Sequence, residues 1–319
     1  MKNKFYFKEN EPLDTLVNYL VSFKNLEAIL LDGELGAGKT TLTAAIAKKL
    51  GEEKTIVSPT FNTMLCYDKL VHIDAYKLKG DLFAYEEYFE NKLVVIEWSK
   101  NITNNFRNFI AINVTLETID NEIYHVFEIT KKTINKSLFI ETSLEDFFVA
   151  IIENNEVTDY IIKEKLVKKT DLFFSVINEV LAKNNLLIEY FDSIYTTKGP
   201  GSFTGSRLGF TFASTNWMLH NHILNNHLKI FLTPTYDLYF YQLKTNKIYI
   251  KANKYKAYEV SKENEKISIN LTDEIEKINH FDYQLFIQDT KGYLSLFKES
   301  KDALEEELIY ASDPQIGGL

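Results

Sequence analysis

Cysteine, arginine and proline are scarce in this chain of 319 residues, which has one, two and five of them. A single cysteine, Cys66, leaves no internal disulfide to form. That excludes the disulfide-stapled secreted class and fits a reducing cytoplasm. Cys66 itself reads as a small core residue. The arginines, Arg107 and Arg207, fall one in each half. Small-molecule kinases close an arginine-bearing lid over the transferred phosphoryl group, so one arginine in the first half argues against that class. No apolar run is long enough to span a bilayer, and Met1–Phe7 lacks the apolar core of a signal peptide. The expected location is therefore cytoplasmic, with no membrane partner. A basic excess is missing as well. Net charge is −9, made of −2 over residues 1–136 and −7 over residues 137–319. Neither half is expected to hold nucleic acid by itself, since phosphate backbones demand a basic footprint.

The hydrophobic fraction, 45%, is ample for two cores, and the length predicts two domains. The strongest local signal is Gly33-Glu34-Leu35-Gly36-Ala37-Gly38-Lys39-Thr40, which fits the phosphate-loop pattern G-x-x-x-x-G-K-[ST] at every fixed position. Ala28–Asp32 before it is an apolar run of strand length. Thr41–Leu50 after it is a good helix former that stops at Gly51. In such a loop the glycines, Gly33, Gly36 and Gly38, let backbone N–H groups point at phosphate oxygens, and the helix N-terminus adds positive potential. Lys39 would reach the β- and γ-phosphates, the Thr40 hydroxyl would hold magnesium, and Thr41 opens the helix beside them.

Downstream, Ser58-Pro59-Thr60-Phe61 is a shaped loop, because proline biases Ser58 to extended geometry. Thr60 could hold magnesium, sense the γ-phosphate or form an ordinary turn. Asn62–Tyr67 and Leu70–Ile73 read as a hairpin leading into His72-Ile73-Asp74-Ala75-Tyr76-Lys77-Leu78. Leu93-Val94-Val95-Ile96 is a buried strand that delivers Glu97, followed by Trp98, to the sheet edge. An acid so placed beside a phosphate loop suits magnesium.

These four segments, in this order and approximate spacing, resemble the bacterial TsaE family, the small ATPase of the threonylcarbamoyladenosine tRNA-modification system. The resemblance spans about residues 5–133. It implies that Lys39 and Thr40 bind ATP and magnesium, that Thr60 is a switch-like threonine, and that Asp74 and Glu97 are the functional acids. The resulting set is Lys39, Asp74 and Glu97 as catalytic residues, Gly33, Gly36, Gly38, Lys39, Thr40, Thr41 and Thr60 around the nucleotide, and Thr40 with Glu97 on the metal. Lys77 stands where that family usually has arginine. It keeps the charge and loses the planar fork.

Glu122–Thr130 reads as the last strand of the first domain. The basic run Lys131–Lys136 reads as a short connector, which places the domains at 1–135 and 136–319. The second half reads as strands at 138–140, 147–152 and 157–165, a helix at 171–184, a strand at 193–197, and a second helix after Gly199–Gly209 running to about His220. A strand meander followed by alternating helices and strands suggests an actin- or hexokinase-like half. The fold class is thus α/β, a phosphate-loop NTPase domain followed by a two-lobed actin/hexokinase-like (ASKHA) domain.

Gly199-Pro200-Gly201-Ser202-Phe203-Thr204-Gly205-Ser206-Arg207-Leu208-Gly209 resembles the signature of the TsaB family. Glu141-Thr142-Ser143 resembles its first loop, and Lys251–Tyr258 resembles, weakly, the start of its second lobe. That resemblance implies a non-catalytic domain that pairs with a TsaD-like catalytic subunit, reaching tRNA only through the complex. Apolar stripes at Leu172/Val176/Val180, Phe173/Ile177/Leu181 and Phe203/Phe210/Trp217 point the same way. Apolar residues around most of a helix suggest cover by a second protein, or by a second copy when the partner is absent. His220, His222 and His227 do not share a helix face and make a poor metal set. No nucleophile with a placed base argues for a protease. Glu305-Glu306-Glu307 reads as a solvated helix face. The leading expectation is an accessory subunit that hydrolyses ATP for resetting or release. The alternative is a stand-alone phosphotransferase with a C-terminal substrate domain.

Overall fold

The computed structural model describes residues 2–57, 59, 63–166, 168–224, 227–264 and 266–310. The chain divides into two compact units, Met1–Ile134 and Asn135–Leu319.

In the first unit the elements are β1 (Lys2–Lys8), α1 (Asp14–Val21), β2 (Ala28–Gly33), α2 (Lys39–Leu50), β3 (Met64–Cys66), β4 (Leu70–Asp74), β5 (Leu93–Glu97), β6 (Asn108–Ile119) and β7 (Glu122–Thr133). They form one sheet in the order β1-β7-β6-β2-β5-β4-β3. The strands β6, β2, β5 and β4 run parallel, and β1, β7 and β3 pair antiparallel at the two edges. Parallel strands are covered on both faces, hence the unbroken apolar runs of β2 and β5. Successive side chains alternate between faces. Ile29 and Leu31 join Leu16, Leu42 and Ile46 in one core, while Leu30 joins Val71, Ile73, Val94 and Ile96 in the other. Helix α2 ends at Gly51, whose φ of 83° is the left-handed cap that only glycine adopts without strain.

Cys66 is exposed at the edge strand β3, not in the core as its chemistry suggested. Met64 and Leu65 before it pack against the two cores, while Cys66, at the last position of this short edge strand, is left uncovered. The connector is also shorter than its basic composition suggested. β7 continues through Thr133 and the next strand begins at Lys136. Lys131 and Lys132 pair with Ile110 and Phe109 of β6.

The second unit opens with β8 (Lys136–Glu141), β9 (Phe147–Glu153) and β10 (Glu156–Lys163). It continues with α3 (Lys169–Lys183), β11 (Ser193–Thr197), α4 (Phe203–Met218), β12 (Lys229–Thr233) and α5 (Thr235–Leu243). Then come β13 (Lys247–Lys251), β14 (Ala257–Glu263), β15 (Lys266–Thr272), α6 (Tyr283–Gln288), α7 (Thr290–Leu294) and β16 (Lys298–Ser300). The main sheet has the order β10-β9-β8-β11-β12-β16. An antiparallel meander is followed by the parallel strands β11 and β12. This strand order is the one expected of an actin/hexokinase-like lobe. One face packs on α3 through Phe173, Val176, Ile177 and Val180 and on α4 through Ala213. The other packs on α6 and α7 through Phe139, Phe148, Phe286 and Tyr293. The second lobe is a three-stranded meander, β13-β14-β15, closed against α5 by Tyr239, Ile248, Ile250 and Val260.

Two helix expectations change. On α4 the fully buried residues are small ones, Gly205, Ser206, Gly209, Ala213 and Ser214. Phe210 and Trp217 are half-buried and lean on the core from its flanks. Close approach of helix and sheet selects small residues, so the aromatic repeat marks the sides of the contact and not its centre. Residues 305–307 are not helical. Glu306 pairs with Lys198 at 3.0 Å, and the Ile309 N–H donates to the Lys198 carbonyl at 2.8 Å, so the segment is an extended strap.

Candidate functional site

The C-terminal ends of β2, β4 and β5 deliver the chemistry of the first unit. Gly33 leaves β2 at φ 146°, where a Cβ would lie 2.0 Å from the Val114 carbonyl oxygen, so only glycine fits. Gly36 (φ 79°) and Gly38 (φ 107°) are left-handed, and Gly38 caps the N-terminus of α2. The loop therefore turns its backbone N–H groups toward the helix start, where the dipole favours an anion. His125 of β7 holds it from the outside, its Nδ1 donating to the Ala37 carbonyl at 2.9 Å.

Lys39 is buried, with 5% of its surface exposed. Its Nζ donates to the carbonyls of Gly33 and Glu34, both at 2.8 Å, and sits 4.0 Å from the centre of the Trp98 ring. Burial pushes the Lys39 ammonium below the ordinary lysine value, while Glu97, Asp74 and Asp32 pull it back up. A cation kept dry between a loop and an indole face is a site prepared for negative charge.

Asp74 and Glu97 are paired neighbours across the parallel β4–β5 ladder. Glu97 is 4% and Asp74 is 7% exposed. The Thr40 hydroxyl donates to Glu97 Oε1 at 2.8 Å. His72 Nε2, fully buried on β4, also lies 2.8 Å from Glu97 Oε1 and donates to it. Asp74 Oδ1 accepts the Tyr76 N–H at 2.9 Å, shaping the turn that leaves β4. Trp98 takes the left-handed conformation (φ 60°), and its ring meets Tyr76 edge-on at 5.1 Å. Asp32 accepts from the Ser99 hydroxyl (2.7 Å) and the Lys100 N–H (3.1 Å), fixing the turn after β5. Lys39, Thr40, Asp74, Tyr76, Glu97 and Trp98 wall a cavity of about 500 Å3 that also touches Leu35, Gly36, Gly38 and Thr41.

Gly36, Gly38, Lys39, Thr40, Thr41, Asp74 and Glu97 are thus brought to one cavity, and Gly33 stands at its back. Thr60 lies outside the described residues. His72, Trp98, Asp32 and His125 also build the site. For Trp98 the signal was its place directly after Glu97. For His72 the signal was its position two residues before Asp74 on the same strand, hence on the same face.

No group of three or more His, Cys, Asp or Glu able to hold a metal occurs among the described residues. The donors beside the loop are a hydroxyl, Thr40, and a carboxylate, Glu97, with Asp74 in the next strand. Hard oxygen donors, few in number and next to a phosphate site, fit magnesium, which completes its shell with phosphate oxygens and water.

In the second unit Glu141 is completely buried and serves its own loop. Its Oε1 accepts from the Ser143 N–H and hydroxyl, both at 2.5 Å. Its Oε2 accepts from the Thr197 hydroxyl at 2.6 Å. A Cβ on Gly201 or Gly205 would lie 2.4 Å or 1.9 Å from the carbonyls of Ser143 and Thr142. These glycines let α4 approach the chain's own backbone. The Lys169 Nζ donates to the carbonyls of Thr142 (2.8 Å) and Leu144, and burial lowers its pKa to about 8. Its folded value lies below its unfolded one, so stability should rise with pH from about 8 toward the ordinary lysine value. The gain is on the order of 3 kcal/mol. Denaturant midpoints of the second unit between those limits should climb in the native chain, and Lys169→Met should flatten the slope. An unchanged slope would refute the assignment. His220 is buried with no hydrogen-bond partner for either ring nitrogen, and burial lowers its pKa. It is a core histidine.

A glycine loop between a central parallel strand and a helix, with acids on the two neighbouring strand ends, defines the phosphate-loop class of nucleotide-binding proteins. The sequence model described as "Threonylcarbamoyl adenosine biosynthesis protein TsaE" matches residues 7–126. The protein named tRNA threonylcarbamoyladenosine biosynthesis protein TsaE in Rickettsia conorii is 38% identical over 135 residues, 40% of this chain and 75% of that protein. The protein of the same name in Rickettsia felis is 36% identical over 138 residues, 40% of this chain and 76% of that protein. Through its first unit the chain belongs to the TsaE family. The model described as "tRNA N6-adenosine threonylcarbamoyltransferase", TsaD, matches residues 170–224, the stretch of α3 and α4. Among solved structures, YeaZ from Pseudomonas aeruginosa aligns over 47% of this chain and 72% of that one at 12% identity. Its TM-score is 0.33, too loose a likeness to bear on function. No helix among the described residues is long and apolar enough to cross a membrane.

Proposed function

We propose that the chain is a fused accessory subunit of tRNA threonylcarbamoyladenosine biosynthesis. Residues 1–135 bind and hydrolyse ATP, and residues 136–319 form a TsaB-like domain that docks a TsaD-like threonylcarbamoyltransferase. The observation that carries the first part is the 2.8 Å hydrogen bond from Thr40 to Glu97 beside a buried, cation-bearing phosphate loop.

In this reading Lys39 exchanges its bonds to the loop carbonyls for phosphate oxygens. Thr40 and Glu97 hold magnesium, which supplies charge neutralisation on the transferred phosphoryl group. Glu97 and Asp74 orient the attacking water, and Trp98 keeps Lys39 desolvated so that its charge acts at full strength. For the second part, the satisfied Glu141 loop offers no free carboxylate for catalysis. The helix α3 leaves Leu172 and Phe174 41% and 66% exposed, an apolar face suited to a protein partner. Fusion holds the two activities at a one-to-one ratio and raises their effective concentration.

The test is ATP turnover by this chain, alone and with a TsaD-like protein from the same organism. Turnover that rises with the partner, together with co-purification, supports the reading. Turnover that ignores the partner removes the scaffold role and favours a stand-alone phosphotransferase. A stable dimer of this chain that the partner fails to dissociate would assign the α3 face to a second copy instead.

A further inference from the structure

The peptide between Ala37 and Gly38 decides what the phosphate loop shows to a ligand. Ala37 is fully buried in the core of the first unit. Gly38 has a φ of 107°, and glycine takes φ of either sign at little cost, so nothing on the Gly38 side stops that peptide from turning over. Its direction matters, because in a trans peptide the C=O and the N–H point opposite ways. One orientation offers the Gly38 N–H to the cavity that Gly38 lines, where it can meet an anion. The other offers a carbonyl oxygen, which repels phosphate.

His125 settles that choice. It sits on β7 opposite Leu116 of β6, and its Nδ1 lies 2.9 Å from the Ala37 carbonyl oxygen. A carbonyl oxygen only accepts, so Nδ1 carries the hydrogen. A Cβ on Gly38 would meet His125 Nδ1 at 3.4 Å and the Phe127 ring at 3.7 Å, so both rings lie against the loop. Phe127 is itself locked in the core, edge-on to Phe7. The imidazole is therefore carried on a rigid strand. Lys39 also bonds to the loop, through the carbonyls of Gly33 and Glu34. In the function proposed above Lys39 turns from those carbonyls to phosphate. The His125 bond lies behind the loop and survives that exchange.

We propose that His125 is a positioning residue for nucleotide. By holding the Ala37 carbonyl toward β7, it aims the Gly38 N–H at the β-phosphate. It touches neither nucleotide nor metal, and its role rests on the nucleotide-binding reading of the first unit. Without this tether the loop divides its time between the two peptide orientations, and affinity falls with the competent fraction. The Gly38 N–H serves bound substrate and transition state alike, so binding should weaken while kcat holds.

Equilibrium titration of the full-length chain with a fluorescent ADP analogue, beside steady-state ATP turnover, tests this. His125→Phe keeps a flat ring and removes the donor. It should bind ADP about tenfold more weakly and raise KM to match, with kcat within about twofold of the native value. His125→Asn carries an amide N–H at the δ position and should bind within about threefold of native. His125→Gln moves the donor one atom further out and should not restore binding. A role in packing alone predicts the opposite order, with the Phe variant near native and the Asn variant impaired. That order overturns the proposal. So does native ADP affinity in His125→Phe, or a fall in kcat at unchanged affinity. Lys39→Ala separates this role from the reading beneath it. If the native chain and Lys39→Ala bind ADP equally, the nucleotide reading fails and the role of His125 fails with it. If Lys39→Ala loses ADP while His125→Phe keeps it, only the role of His125 fails.

Discussion

Lys39→Ala should weaken ATP binding by roughly two orders of magnitude and abolish turnover. Among the described residues the ammonium is the one cation whose side chain is buried at the mouth of the loop, and it has two hydrogen bonds to give. A hydrogen bond to a charged group is worth about 1.5–3 kcal/mol, so two lost bonds correspond to at least about 3 kcal/mol, or about 100-fold. Glu97 calls for a gentler change. Glu97→Ala would strand the buried His72 Nε2–H and the Thr40 hydroxyl, at about 1–3 kcal/mol each, and confound activity with stability. Glu97→Gln keeps shape and one acceptor, so nucleotide should still bind while kcat collapses. His72→Gln should lower kcat by about tenfold with little change in KM, because His72 touches Glu97 and not the cavity. Equilibrium binding of a fluorescent ATP analogue beside steady-state turnover separates these outcomes. Undiminished turnover in Lys39→Ala or in Glu97→Gln would remove the phosphate loop from the chemistry.

The loop was readable in the sequence because its chemistry demands special residues at fixed spacing. Glycine is needed where φ is positive or where another backbone approaches, and lysine and threonine are needed at the helix start. The apolar runs of β2 and β5 were equally plain, since strands covered on both faces cannot hide polar residues. Sequence alone did not reveal the register that sets His72 beside Glu97. That contact depends on which strand lies next to β5, and the order β2-β5-β4 is a tertiary fact. The same limit explains Cys66. Its small apolar character suits a core, but it stands at the exposed last position of a three-residue edge strand. The run Glu305–Glu307 has helical composition. Those residues instead form a strap held by Glu306 to Lys198 and by Ile309 to the Lys198 carbonyl, contacts more than 100 positions apart in the chain. Beyond about residue 260 the elements are short, and periodicity over five or six residues does not separate helix from strand.

Gly205→Val should be the most damaging single change in the second unit. The Gly199–Gly209 segment looks like a loop for binding phosphate, and the structure gives its glycines another task. Any Cβ at position 205 would sit 1.9 Å from the Thr142 carbonyl oxygen, inside the contact distance of backbone, which cannot swing aside as a side chain can. Either α4 withdraws from β8, or the Thr142–Leu144 loop shifts and breaks the bonds that Lys169 and Glu141 make to it. Overpacking of this kind costs about 3 kcal/mol or more. For a unit of this size that lowers the melting temperature by roughly 6–12 °C. Gly205→Ala should do nearly as much harm, because the clash is with Cβ itself. Gly36→Ala in the first unit meets no atom within 4 Å, so its harm comes from φ 79° alone and should be smaller. In the Gly205 variants nucleotide affinity should hold, since Lys39, Thr40 and both acids lie in the first unit and line its own cavity, while co-purification with a TsaD-like partner should fail. If Gly205→Val melts like the native chain, the segment is free of α4 packing, and its glycines would have to be explained by a ligand instead.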